Sequence, residues 1–232
     1  SHVLLNQQLD GDAANLLARN LEGRGLALRL GAETSAFEGA RRVERVRLAD
    51  GSHVDADLVV IAIGVQPDTA LMRASGLYCE RGIVVDDTLQ TYDPHVYAVG
   101  ECVQHRQLTF GLVAPVWEQA RVCASHLARL GHRRYRTRQS DARLKVTGID
   151  LYSAGDFLGG CGTEDLVLRD PRRGIYKRLV LSGNRLAGVV LYGDARDGGW
   201  YFDLINHGTD VGPWRDRLLF GQAYCQPMAA QA

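Results

Sequence analysis

The chain has 232 residues, 46% of them hydrophobic and 23% charged, which is enough for one large or two small domains with their own cores. Its 27 basic and 27 acidic side chains cancel, so nothing electrostatic points to nucleic acid or an anionic membrane surface as a partner. Five cysteines, at 79, 102, 123, 161 and 225, show no C-x-x-C spacing. A disulfide framework, a zinc site or an iron–sulfur site is therefore not expected from this chain, and a reducing cytoplasm is the expected compartment.

Leu9, Ala13, Leu16, Leu17 and Leu21 share one helix face, with Asp10 and Asp12 in the first turn and Gly23-Arg-Gly25 at the stop. Leu26 to Leu30 reads as a following strand and Val3 to Leu5 as the remnant of a preceding one, so the chain is expected to start inside a βαβ domain. Val43 to Leu48 and His53 to Asp57 form a hairpin around Asp50-Gly51. The second arm runs into Leu58-Val-Val-Ile-Ala-Ile63. This run is too short to cross a bilayer and has the texture of a strand covered on both faces. Gly64-Val-Gln-Pro-Asp-Thr69 is its exit turn, followed by a short helix, Thr69 to Ser75.

Strands are expected at Gly82 to Asp86 and Val96 to Val99. The clearest helix covers Val113 to Leu130, with apolar or small residues at 113, 116, 117, 120, 123, 124, 127 and 130 and Gly131 as its stop. Arg133 to Arg143 reads as a solvated basic linker. Beyond it lie strands at Leu144 to Val146, Ile149 to Ser153, Asp165 to Leu168, Tyr176 to Leu181 and Arg185 to Tyr192. Ser182-Gly-Asn184 turns between the last two, and a helix covers Trp200 to Asn206. These elements describe an α+β domain with an antiparallel sheet.

Chemistry concentrates in Thr91-Tyr-Asp-Pro-His-Val-Tyr-Ala-Val-Gly-Glu-Cys102, a short strand ending in a glycine and a carboxylate. Ligands of open α/β sheets collect at the carboxyl ends of strands. A glycine there lets a ligand approach the backbone, and a carboxylate accepts hydrogen bonds from sugar-like hydroxyls. Other residues have plainer readings. Cys102 is expected to be a small buried hydrophobe and Trp117 a core residue, with a cofactor contact as the alternative. His105 divides evenly between a surface loop and a site. His126 and His207 are expected to be structural, and Trp200, Tyr201, Phe202 and Trp214 to form a core, with a partner-binding patch as the alternative.

Two signatures in sequence order, Ala62-Ile-Gly-Val-Gln-Pro-Asp-Thr69 and Tyr97-Ala-Val-Gly-Glu-Cys102, resemble the FAD-dependent pyridine-nucleotide reductases. Gly111-Leu-Val-Ala-Pro-Val-Trp-Glu-Gln-Ala-Arg121, after Glu-Cys-Val-Gln-His105, more specifically resembles the large, NAD(P)H-oxidising subunit of assimilatory nitrite reductase. Leu144-Lys-Val-Thr-Gly-Ile-Asp-Leu-Tyr-Ser-Ala-Gly-Asp156 resembles the start of that family's C-terminal reductase domain. The resemblance covers nearly the whole chain.

It implies a partial two-dinucleotide-domain, Rossmann-like α/β fold followed by a small α+β domain. The expected division is residues 1–75 for the NAD(P)H side, 76–140 for the FAD side and 141–232 for the reductase domain. FAD and NAD(P)H are the implied cofactors. Gly100 and Glu101 would lie against the ribityl-pyrophosphate segment, and Gly64 would face the nicotinamide. The helix turn around Pro115, Val116, Trp117 and Glu118 would offer N–H groups and a positive dipole to the flavin ring. No residue is singled out as catalytic and none as a metal ligand.

The implied reaction is hydride transfer from NAD(P)H to FAD, with electrons passed on to an iron–sulfur or sirohaem acceptor domain or protein; homodimerisation is left open. The sequence departs from the family in four ways. Glu101 replaces the commoner Asp, Asp68 stands where many relatives carry Asn, there is no G-x-G-x-x-G, and there is neither a redox cysteine pair nor a set of cluster cysteines. The fragment by itself is therefore expected to hold both cofactors incompletely and to be inactive. The competing readings are a non-catalytic electron-transfer or subunit-docking module and a rubredoxin- or ferredoxin-reductase-like flavoprotein.

Overall fold

A computed structural model describes residues 2–111, 113–131, 133–136 and 141–225. Helix α1 (Gly11–Gly23) forms where the apolar spacing places it, and the Asp10 carboxylate accepts the Ala13 N–H at 2.9 Å as its N-cap. A three-stranded antiparallel sheet follows, β1 (Thr34–Glu38), β2 (Arg45–Leu48) and β3 (His53–Asp55), in that spatial order. Its β2–β3 turn is the expected one. Asp50 accepts from both the N–H and the hydroxyl of Ser52, and Gly51 supplies a φ of +85°. Strand β1 was not foreseen, because Thr-Ser-Ala-Phe-Glu lies largely exposed and shows no alternation to read.

Next come α2 (Ala70–Ala74), β4 (Ile83–Val85), β5 (Val103–His105), β6 (Leu108–Thr109) and α3 (Val113–Leu127). Strands β4 and β5 pair in parallel and β5 pairs with β6 antiparallel. Ile83, Val85, Leu89, Val103, Phe110, Val122 and Tyr135 form their core.

The C-terminal region contributes β7 (Asp141–Val146), β8 (Ile149–Gly155), β9 (Thr163–Asp170), β10 (Ile175–Ser182) and β11 (Arg185–Tyr192), antiparallel in the order β7-β8-β11-β10-β9. Helix α4 (Gly198–His207), a 3₁₀ helix (Gly212–Phe220) and α5 (Gln222–Cys225) complete it. The period of two sorts the side chains cleanly. Tyr152, Ala154, Leu179, Leu181, Val189 and Leu191 meet Tyr201, Leu204, Val211 and Leu218 on one face. Ile149, Leu151, Tyr176, Val190 and Tyr192 meet Leu9, Ala13, Ala14, Leu17 and Leu21 of the α1 segment on the other. Both faces are covered, which is why the central strands read as continuous apolar runs rather than as alternation. Trp200, Phe202 and Trp214 pack against the first of these cores, in agreement with their core reading.

Packing groups the chain into two compact units, residues 1–58 with 139–232, and residues 59–138. The first joins the N-terminal segment to the C-terminal sheet, a grouping that the contact of α1 with that sheet brings about.

Five expected elements differ. Residues 58–63 are not a buried strand: they pair with nothing regular, and Leu58 is 79% and Ile63 92% exposed. A strand covered on both faces draws its hydrogen bonds from neighbours on both edges, and no described element supplies them. Leu26 to Leu30 is irregular and Val3 to Leu5 lies in a turn, for the same lack of a pairing edge. Val96 to Val99 reduces to one bridge between Gln90 and Tyr97. Helix α3 stops at Leu127 rather than Leu130, as Arg129 takes a φ of +53°. The expected linker is anchored at Tyr135, which is buried and donates its N–H to the Asp87 carbonyl at 2.7 Å. Residues 137–140 of that linker lie outside the described residues.

Candidate functional site

Within residues 59–138, the segment before Gly100 is held by backbone bonds from Thr91 N–H to the Val96 carbonyl (2.9 Å) and from Ala98 N–H to the Leu89 carbonyl (3.1 Å). The chain then reverses. Gly100 has a φ of +108°, and its carbonyl accepts the N–H of Val103, the first residue of β5, at 3.2 Å. A Cβ added at Gly100 would meet nothing within 4 Å, so glycine is required by the backbone angle and open space lies above it. Glu101, at the apex, is exposed and makes no side-chain hydrogen bond or ion pair among the described residues. The turn thus presents an uncommitted carboxylate beside a bare stretch of backbone.

Helix α3 lies against this turn. Gln119, fully buried, accepts the Gly100 N–H on Oε1 at 2.9 Å. The exit turn comes to the same region: a Cβ at Gly111 would sit 3.3 Å from Val65, and the Asp68 charge acts on Cys102. Gly64, with φ +93°, also has open space where a side chain would be. Asp68 has a local task, accepting the Ala70 N–H at 3.0 Å to start α2.

Because α3 begins at Val113, the free N–H groups of its first turn belong to Val113 and Ala114, and Pro115 has none to offer. Val116, Trp117 and Glu118 stand further in, where N–H groups are taken up by the helix. They can contribute side chains to a site but not N–H donors. Glu118 lies 3.7 Å from Arg121, one turn along.

Trp117 is 63% exposed, which overturns its core reading. The buried face of α3 runs through Gln119, Val122 and Cys123, and Trp117 points away from it. Apolar spacing alone misplaces that face, because its centre is a glutamine. Gln119 is the residue that sequence reasoning missed, and its signal was the i, i+3, i+4 spacing of 119, 122 and 123.

His105 is buried, not on a surface loop. Its Nε2 lies 2.8 Å from the Asp87 carboxylate, and its ring stands edge-on to Tyr135. The His105 ring and the Arg106 guanidinium hold the Asp87 carboxyl below the usual range. His126 meets the Tyr97 hydroxyl at 2.9 Å and His207 the Asp203 carbonyl at 2.7 Å. Cys102 is half-buried, and burial, followed by the Asp68 and Cys79 charges, pushes its thiol up and away from the reactive thiolate. Among the described residues no three His, Cys, Asp or Glu side chains converge as a metal site, and no helix is long and apolar enough to cross a membrane.

The profile of the pyridine nucleotide-disulphide oxidoreductase family matches residues 1–126, which contain both glycine turns and nearly all of α3. The chain belongs to that family.

The profile of the rubredoxin NAD⁺ reductase C-terminal domain matches residues 142–209 of this family member. A nitrite reductase [NAD(P)H] of Bacillus subtilis is 42% identical over 90% of this chain and 26% of its own. An assimilatory nitrate reductase electron transfer subunit of the same organism is 40% identical over 93% of this chain and 28% of its own. The chain thus spans about a quarter of the length of these curated relatives. Among solved structures, the covalent putidaredoxin reductase–putidaredoxin complex superposes with a TM-score of 0.77. It is 24% identical and covers 96% of this chain and 54% of that one. At that identity the likeness concerns the fold, the Rossmann-like α/β architecture that the sequence resemblance implied.

Proposed function

We propose that this chain supplies the flavin-side turn, the nicotinamide-side exit turn and the C-terminal domain of an FAD-dependent NAD(P)H oxidoreductase of the nitrite reductase type. The observation that carries the proposal is the Gly100–Glu101 turn, with an exposed carboxylate at its apex that has no partner among the described residues, open space at its glycine, and helix α3 fastened to it through Gln119. Those residues fit a flavin nucleotide. The Glu101 carboxylate would accept hydrogen bonds from ribityl or ribose hydroxyls, and the backbone at Gly100 would let the chain pass close. The Val113 and Ala114 N–H groups would face negative charge near the ring. FAD, when bound, supplies the capacity to take a hydride from NAD(P)H and pass electrons on singly.

The residues of this chain bind and orient. Glu101 fixes the cofactor's polyol, Gly64 leaves room on the nicotinamide side, and α3 directs its dipole. On this reading residues 1–75 and 76–140 belong to the NAD(P)H and FAD sides, and residues 141–232 form the reductase domain. The onward acceptor is an iron–sulfur or sirohaem centre, in a cytoplasmic enzyme. The match of residues 142–209 to a rubredoxin reductase domain favours a second reading in which the acceptor is a small redox protein.

The test is a titration of the ¹⁵N-labelled chain with FAD, followed by amide shifts. Weak, saturable shifts at Gly100, Glu101 and Val113 are expected. Glu101→Ala should weaken binding roughly tenfold or more, as loss of hydrogen bonds to a charged group requires. No shift at low-millimolar FAD, or shifts that Glu101→Ala leaves unchanged, would overturn the reading.

A further inference from the structure

Glycine at position 100 leaves the turn without a side chain of its own to hold it. Its φ of +108° is one of several that glycine samples freely, so the peptide planes on either side of Gly100 must be fixed from outside it. Around Gly100 itself the described restraints are the Val103 N–H on its carbonyl and the Gln119 Oε1 on its N–H. The first closes the turn onto the strand that directly follows it, and the second ties it to an element distant in sequence.

Gln119 pays no helix-face role that leucine could not fill. It sits with Val122 and Cys123 on the buried face, where an amide is costly unless used. Its oxygen is used on Gly100, while its Nε2 is buried near the Tyr135 hydroxyl with no well-formed hydrogen bond. A buried amide kept with half its capacity unspent is explained by the other half, the bond to the turn.

We infer that Gln119 is a positioning residue for the cofactor. It takes the Gly100 N–H out of play as a ligand donor, fixes the Val99–Gly100 peptide plane from which the turn toward Glu101 departs, and locks the turn to α3, so that the carboxylate and the first-turn N–H groups keep one spacing. This rests on the flavin reading above. Gln119 touches no ligand on this account and acts only through the turn it holds.

Amide exchange and FAD titration of the ¹⁵N-labelled chain test it. In the wild type without FAD, the Gly100 amide is expected to be protected from exchange. Gln119→Met keeps the volume and removes the acceptor. It should speed Gly100 exchange roughly tenfold and weaken FAD binding roughly fivefold or more, with the melting temperature little changed. Gln119→Glu keeps an acceptor oxygen at the same reach and should restore both.

An unprotected Gly100 amide in the wild type would overturn the inference whether or not the variants fold. So would FAD affinity unchanged in Gln119→Met, or lost without rescue in Gln119→Glu. If the wild type shows no FAD shifts at all, the flavin reading itself has failed. If the wild type binds and Gln119→Met binds equally, only the role of Gln119 has.

Discussion

The hydroxyl of Tyr176 donates to the Asp10 carboxylate at 2.6 Å across 166 positions of sequence, in a buried contact between β10 and the start of α1. The same carboxylate caps α1 through Ala13 and lies 3.2 Å from Arg178 Nη1. Asp10 is therefore both a helix cap and the bolt that fastens α1 to the C-terminal sheet. Burial, with the hydrogen bond to Asp10 next, pushes the Tyr176 hydroxyl far above its ordinary range and keeps it a donor.

Asp10→Ala removes the cap and leaves Arg178, largely buried, without one of its two carboxylates. A loss of about 3 kcal/mol is expected, since cap removal costs about 1 kcal/mol and breaking a buried pair adds more. Tyr176→Phe leaves the cap and the ion pair in place and should cost about 1 kcal/mol. Urea unfolding measures both, and equal losses in the two variants would show that Asp10 has no role beyond Tyr176.

Lys177 and Asp194 form a buried ion pair at 3.1 Å, with Arg196 reaching the same carboxylate from solvent. The Arg196 hydrogen bond, then Lys177, holds the Asp194 carboxyl well below the usual range against the opposing effect of burial. A depressed carboxyl contributes stability above its unfolded pKa of about 4 and loses it as pH falls through the folded value. The stability difference between wild type and Asp194→Asn should therefore be full at neutral pH and shrink only below the ordinary carboxylate range. Unfolding curves at pH 7, 5 and 3 check this, and a difference that grows on acidification would reverse the sign.

Gly188 and Gly155 face each other across β11 and β8. A Cβ at Gly188 would sit 2.2 Å from the Asp156 carbonyl oxygen, whereas one at Gly183 in the β10–β11 turn would meet nothing within 4 Å. Gly188→Ala must force strands apart and is expected to cost about 3 kcal/mol, in the range of overpacking. Gly183→Ala pays only for its left-handed backbone, about 1 kcal/mol. Thermal melts of the two should rank in that order.

The exposed run Val60, Ile61, Ile63 and Val65 buries little in this chain. Replacing Val60 and Ile63 together by threonine should leave stability within about 0.5 kcal/mol, as surface changes do. The same change should lower the fluorescence of a hydrophobic dye bound to the chain. A large loss of stability would mean that the run is packed.

Much was legible because it is local. The α1 stripe with its acidic first turn, the Asp50-Gly51 turn, the five C-terminal strands and the Ser182-Gly-Asn184 reversal each carry their cause within a few residues. The glycine–acid turn at Gly100 was legible for the same reason, since the angle a glycine permits is a property of that residue. What failed was partnership. Leu58 to Ile63 looks like a buried strand because its side chains are apolar, yet a strand exists only where neighbours accept its hydrogen bonds. Trp117 looked buried because large apolar residues at helical spacing usually are, but the buried face of α3 is centred on a polar residue. His105, read evenly between loop and site, is buried by the arrival of Asp87 and Tyr135.

The sequence alone determined the order of the elements, the chemical character of the two glycine turns and the family to which they point, because each rests on short-range backbone preferences and side-chain type. Only the tertiary structure decided that α1 closes the second face of the C-terminal sheet and that Gln119 takes the Gly100 N–H while Glu101 stays free. Those outcomes depend on which distant groups arrive within hydrogen-bonding reach, and a buried polar group names its partner only once the chain has folded around it.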